Sequence, residues 1–119
     1  MTTRDLIEAS AKPIILSLLT EGDSYGYQIL LRVRLVSGGT LKWSTEMLNP
    51  ILQNMEKDGL IRSIGKAAQD GPSRLSYRLT EKGRRECACE RERWYDVRDA
   101  LDRFWDRADL VSLSSISTC

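Results

Sequence analysis

Met47-Leu48-Asn49-Pro50-Ile51-Leu52-Gln53-Asn54-Met55-Glu56-Lys57-Asp58-Gly59-Leu60-Ile61 is the stretch that decides the fold. Its apolar residues Met47, Leu48, Ile51, Leu52 and Met55 recur at helical spacing and make one buried face. Asp58-Gly59 stops that helix, because glycine enters the left-handed conformation without a Cβ penalty. Leu60 to Ile64 then alternates as a short strand. Gly65 to Arg74 is small and polar, with Gly71-Pro72 as a turn signal, and Leu75 to Leu79 alternates again. Thr80 stands where an N-cap belongs, and a second helical pattern starts behind it. The order is helix, β-hairpin wing, helix.

Reading outward, Ser44 is the expected cap of the decisive helix. Pro50 conflicts with a start at Thr45, since it removes a hydrogen bond and clashes one turn back. Either the first turn is distorted or the regular helix starts later. Ser24 reads as the cap of a helix through about Ser37, with Tyr25, Ile29, Val33 and Val36 as its apolar stripe. Leu30 and Leu31 broaden that stripe, and Gly26 falls inside the helix. Pro13 opens or kinks the apolar run Ile14 to Leu19, so the main first helix is expected from about Lys12 to Leu19. Downstream, Trp94, Val97, Leu101, Phe104, Trp105 and Ala108 recur three and four apart. That face is too apolar for a lone helix in water, and a partner subunit is the simplest cover.

The expected fold class is α+β, mainly α: a winged helix-turn-helix with a long C-terminal dimerisation helix. The first part spans residues 1–80 and the helix 81–111, followed by a Ser-rich disordered tail over 112–119.

Net charge is only +1, but its distribution is uneven. Residues 60–85 hold seven basic and two acidic side chains, while 1–59 hold six and seven and 86–119 five and eight. Basic charge gathered on a wing and the helix start behind it is a phosphate-binding footprint, or else simply a solvated hairpin. The chain has no His, and no nucleophile, base and orienting group can be assembled, so an enzyme is not expected. Cys87 and Cys89 are two apart on a helix and point about 200° apart, so they cannot pair locally. Cys-x-Cys without His is a poor metal pattern, and Cys119 is a lone tail thiol. No metal and no cofactor are expected. Three cysteines, no signal peptide and no apolar run of membrane length fit a reducing cytoplasm.

The residues resemble the PadR family of bacterial winged-helix transcriptional regulators. The matches are Ile15-Leu16-Ser17-Leu18-Leu19 with Gly22, Tyr25-Gly26-Tyr27-Gln28-Ile29, Leu48-Asn49-Pro50-Ile51-Leu52 and Met55-Glu56-Lys57-Asp58-Gly59-Leu60-Ile61. Arg74 and Tyr77-Arg78-Leu79-Thr80-Glu81-Lys82-Gly83-Arg84 complete the set. The resemblance covers about residues 13–108, and the single last helix looks like the short-tailed branch that includes multidrug-binding repressors. Asn49 stands where such sequences usually carry Tyr, and Gln53 and Asn54 where basic residues or His are common.

What the resemblance implies is a homodimeric repressor of transcription that binds promoter DNA. Asn and Gln can bond bidentately to adenine in the major groove, each good pair adding about 1–3 kcal/mol of discrimination. Ser44, Thr45, Asn49, Gln53 and Asn54 lie on or near the exposed face of the third helix. Asn49 and Gln53 are expected nearest to base edges, and Ser44 and Lys57 at phosphates. Apart from the resemblance, the same residues also read as ordinary exposed polar side chains. Lys66, Arg74 and Arg78 suit phosphate or minor-groove contact, Arg74 matching the family's basic wing position. Arg78 has a second reading as a partner of Glu81 or Asp58, and Tyr77 reads as core.

The family dimerises through its last helix, helped by the first. The candidates here are Leu6, Ile7, Trp94, Val97, Leu101, Phe104 and Trp105. Trp94 matches the position that stacks flat aromatic compounds in multidrug-binding relatives, although a Trp at helical spacing is usually core. Two other functions stay open: a protein-interaction module built on the winged helix, and a small-molecule sensor with its site at the dimer interface.

Overall fold

The computed structural model describes the backbone of residues 3–65 and 75–111, and the side chains of 8–65 and 75–107. Lys66, Arg74, the side chains of Leu6 and Ile7, and the expected tail lie outside those described. The elements run α1 (Thr3–Leu19), β1 (Ser24–Tyr25), α2 (Gly26–Val36), α3 (Thr45–Lys57), β2 (Ile61–Ile64), β3 (Ser76–Leu79) and α4 (Glu81–Val111). Four helices with one small antiparallel sheet make the expected winged helix-turn-helix. Two compact units divide the chain, residues 1–88 and 89–119. The first takes in the start of α4, where Gly83 and Cys87 are buried.

α3 forms because its sequence satisfies both of its ends. Ser44 caps it, its Oγ accepting the Met47 N–H at 3.2 Å. At the other end Gly59 takes φ 79°. The Gly59 N–H donates to the Glu56 carbonyl at 3.0 Å and the Leu60 N–H to the Met55 carbonyl at 3.0 Å. That pair of bonds closes a Schellman motif. The helix does start at Thr45 with Pro50 inside it. The carbonyl that Pro50 leaves without a donor belongs to Glu46, an exposed residue where water can take the bond. Leu48, Leu52 and Met55 turn inward.

The core joins α3 to Ala11, Ile15, Leu16, Leu18 and Leu19 of α1 and to Ile29 and Val33 of α2. Leu60, Ile61, Tyr77 and Leu79 close it from the wing side. Tyr77 is 1% exposed, as a core residue should be.

Two elements differ from the sequence reading. α1 is longer than Lys12 to Leu19 and carries Pro13 in its interior. The carbonyl that Pro13 strands is that of Ala9, which is exposed, so the helix continues through the proline. Ser24 does not cap α2. It lies in β1, pairing with Tyr77 while Tyr25 pairs with Ser76. α2 begins one turn-step later, with Tyr25 before it and the Tyr25 N–H donating to the Gln28 Oε1 at 2.8 Å. The strand order is β1-β3-β2, so the wing hairpin gains a third strand from the segment ahead of α2.

Candidate nucleic-acid interface

α2, the 37–44 connection and α3 form a helix-turn-helix, and β2 and β3 form the wing beside it. With Leu48, Leu52 and Met55 buried, the opposite side of α3 is Glu46, Pro50, Gln53, Asn54 and Lys57, all exposed. Lys57 and Pro50 face most directly outward, with Gln53 beside them. Asn49 sits on the flank of that side, half-buried, with its Oδ1 buried and without a partner among the described residues. Thr45 and Ser44 are exposed at the helix start, and Ser44 spends its hydroxyl on the cap. Glu46 carries no ion pair among the described residues, so a free carboxylate stands in the first turn. An acid there is favoured by the positive end of the helix.

The wing is fixed to α3 by Glu56, whose Oε2 accepts from both the N–H and the Oγ of Ser63 at 2.8 Å. Pairing sets Arg62 of β2 opposite Arg78 of β3 on the exposed face of the hairpin. Like charges directly opposite destabilise a strand pair. Asp23 offsets this: the Arg78 Nη2 donates to its Oδ2 at 2.8 Å and the Nε to its Oδ1 at 3.2 Å. Hydrogen bonding from Arg78 holds the Asp23 carboxyl below its ordinary value, with smaller help from the charges of Arg78 and Arg62. The same bond raises the Arg78 guanidinium above its usual value. Arg78 therefore pairs with Asp23, not with Glu81 or Asp58. Arg62 has no ion pair among the described residues and is the open cation of the pair. Sequence reasoning passed over Arg62; its alternation with buried Ile61 on a basic strand was the available signal. Lys66 and Arg74 lie outside the described residues.

α4 starts as expected. The Thr80 Oγ1 accepts the Gly83 N–H at 3.0 Å and donates to the Gly59 carbonyl at 2.6 Å. Cys87 is buried and Cys89 exposed, as their spacing requires. In the second unit, Trp94, Val97, Leu101, Phe104 and Trp105 are 37, 51, 41, 67 and 58% exposed. Arg98 lies over the Tyr95 ring at 4.7 Å from its centroid. No described helix is long and apolar enough to cross a membrane.

A helix-turn-helix with a paired wing, a polar outer face on its second helix and cations on the hairpin defines a winged-helix regulator. The model of the PadR-like family of transcriptional regulators matches residues 15–89, well over half of the chain. The protein belongs to that family, whose members are DNA-binding transcriptional regulators and not enzymes. A transcriptional regulator from Clostridium thermocellum is 30% identical, with a TM-score of 0.75 over 87% of this chain and 98% of that one. A PadR-like transcriptional regulator from Bacillus cereus shares the fold at 23% identity and a TM-score of 0.71, covering 85% and 96% of the two chains. An uncharacterized protein from Lysinibacillus sphaericus is 27% identical over 106 residues, 89% of this chain and 97% of its own.

Proposed function

We propose that the protein is a homodimeric repressor that reads an operator in double-stranded promoter DNA with the outer side of α3. The observation that carries this reading is the exposed row Glu46, Gln53 and Lys57, without an ion pair among the described residues and backed by a capped, well-packed helix. A recognition helix reads bases from its N-terminal part while its neighbours fix the backbone. Gln53 suits adenine, and the Glu46 carboxylate suits the amino group of cytosine. Lys57 suits phosphate, which sets register rather than sequence. Asn49, Asn54, Thr45 and Ser44 flank that row. The basic residues of the wing, Arg62 and Arg78 with Lys66 and Arg74 between them in the sequence, would meet the backbone. Two copies joined along the apolar side of α4 would present two such helices about one turn of DNA apart. The protein then acts in the compartment that holds the chromosome, the cytoplasm.

Selection of binding sites from random duplex DNA tests this. The wild type should enrich a two-fold site. Gln53→Ala should lose preference at one base pair per half-site, by about 1–3 kcal/mol. Lys57→Ala should weaken all sequences alike and lower the salt slope by about 1. A wild type that enriches nothing, or a Gln53→Ala variant that enriches the same site, would sink the reading.

Trp94 supports a second layer. Its indole keeps 37% of its surface and stands at one end of the apolar stripe. A planar aromatic effector stacking there needs no specific hydrogen bond. By linkage, such an inducer must bind the free dimer more tightly than the DNA-bound one. Quenching of tryptophan fluorescence by a planar cation, lost in Trp94→Leu and weakened by operator DNA, is the expected result. Quenching unaffected by DNA would leave a sensor uncoupled from repression.

A further inference from the structure

Tyr27, Leu31 and Leu35 follow one another at intervals of four along α2, so they share one line down the helix. The buried side of α2 is Gly26, Ile29 and Val33. The line of three lies directly opposite, 44, 57 and 77% exposed. Tyr25 extends it: the Tyr25 and Tyr27 rings stack with centroids 5.7 Å apart and planes 11° from parallel. The inner face of the helix is already covered, and Leu31 and Leu35 keep more than half of their surface in water. A contiguous apolar patch of a few hundred Å² marks an interaction surface.

We propose that this face of α2 pairs with the same face of a second copy of the chain, antiparallel about a two-fold axis at Leu31. The patch leaves on the order of 500 Å² per copy, so a two-fold contact buries on the order of 1,000 Å², where specific though weak association begins. The pattern complements itself. The two-fold sets Leu31 on the partner's Leu31 and Tyr27 on the partner's Leu35. It sets Gln28 beside the partner's Arg34, so no like charges meet. Arg32 is already held by Glu21 and by the Ser24 Oγ at 3.1 Å. Rows spaced by four on both helices interdigitate in the commonest class of helix packing. The contact uses α2 alone and does not depend on the DNA reading. Combined with pairing along α4, it links dimers into larger assemblies.

Sedimentation velocity of the full, reduced chain over a concentration series tests the proposal. The wild type should grow beyond dimer as concentration rises, and Leu31→Glu with Leu35→Glu should stop at dimer with unchanged circular dichroism. Both positions are exposed, so the double variant keeps its core. A wild type that stops at dimer beside a monomeric double variant would keep the α2 contact and overturn the α4 dimer. An assembly state unchanged by the double substitution overturns the proposal and leaves the face to a different protein. The register has its own check in a background of Cys89→Ser and Cys119→Ser. There Leu31→Cys should cross-link to itself on mild oxidation well ahead of Tyr27→Cys; equal rates overturn the pairing about Leu31.

Discussion

At Gly83 an added Cβ would lie 2.1 Å from the Leu60 carbonyl oxygen and 2.7 Å from the Leu79 Cδ1. The first turn of α4 therefore runs against the backbone that leaves α3. Alanine would normally gain about 1 kcal/mol over glycine inside a helix. Here the clash is with backbone, which cannot swing aside as a side chain can, so overpacking wins. Gly83→Ala should lose about 2–3 kcal/mol of unfolding free energy in a denaturant titration. A neutral or stabilised variant would show that α4 can shift away from Leu60. At the same scale, Asn49 and Gln53 show the reach and the limit of helical spacing. Both were expected at base edges, and both do lie away from Leu48 and Leu52. Asn49 lies nearer the buried stripe, half-buried with its Oδ1 buried, while Gln53, one turn on, is exposed. Glu46 and Pro50 complete the outer side.

Among the elements, one ion pair ties the segment ahead of β1 to β3. Asp23, just ahead of β1, meets Arg78 of β3, and Arg62 of β2 stands across from Arg78. The Asp23 carboxyl titrates below its ordinary 3.8 in the folded chain. A carboxyl depressed by folding contributes stability that is present above the unfolded value and lost as pH falls through the folded one. Asp23→Asn should remove that contribution. Its unfolding free energy should fall less steeply than the wild type's as pH drops through the carboxylate range. Urea titrations at descending pH measure this; parallel curves for the two proteins would mean that Arg78 does not hold the carboxylate in solution. The pair is half-exposed, so the effect is small and weakens with salt. α3 was the most legible element because its cap, its stripe and its stop all lie within its own sequence. β1 was the least legible. Ser24 is a good helix cap by residue type, yet Tyr77 and Ser76, more than fifty residues away, take its backbone into a sheet. Pro13 was expected to open or kink its helix and Pro50 to distort or delay the start of its own, but each strands a carbonyl on an exposed residue, where water relieves the cost.

At the scale of the molecule, two apolar surfaces remain in water among the described residues: the outer line of α2 and the stripe on α4. For α4, helical spacing alone located Trp94, Val97, Leu101, Phe104 and Trp105. Phe104 is 67% exposed, so Phe104→Glu should leave the fold intact while placing a charge in any pairing along that stripe. Loss of the dimer in sedimentation, with unchanged helix content, is the expected outcome. A dimer that persists would move the subunit contact elsewhere. For α2, sequence periodicity put Tyr25 and Val36 on the buried stripe, whereas the structure buries Ile29 and Val33 and exposes the other two. The sequence by itself determined what closes within a few residues: α3 with its cap and glycine stop, the hairpin, the Thr80 cap and the spacing of the α4 stripe. Only the tertiary structure decided the third strand, the Asp23–Arg78 pair, the backbone approach at Gly83 and which side of α2 faces water. Those depend on contacts between residues far apart in the chain, and hydrogen bonds and packing across such distances leave no periodic trace in the segment that makes them.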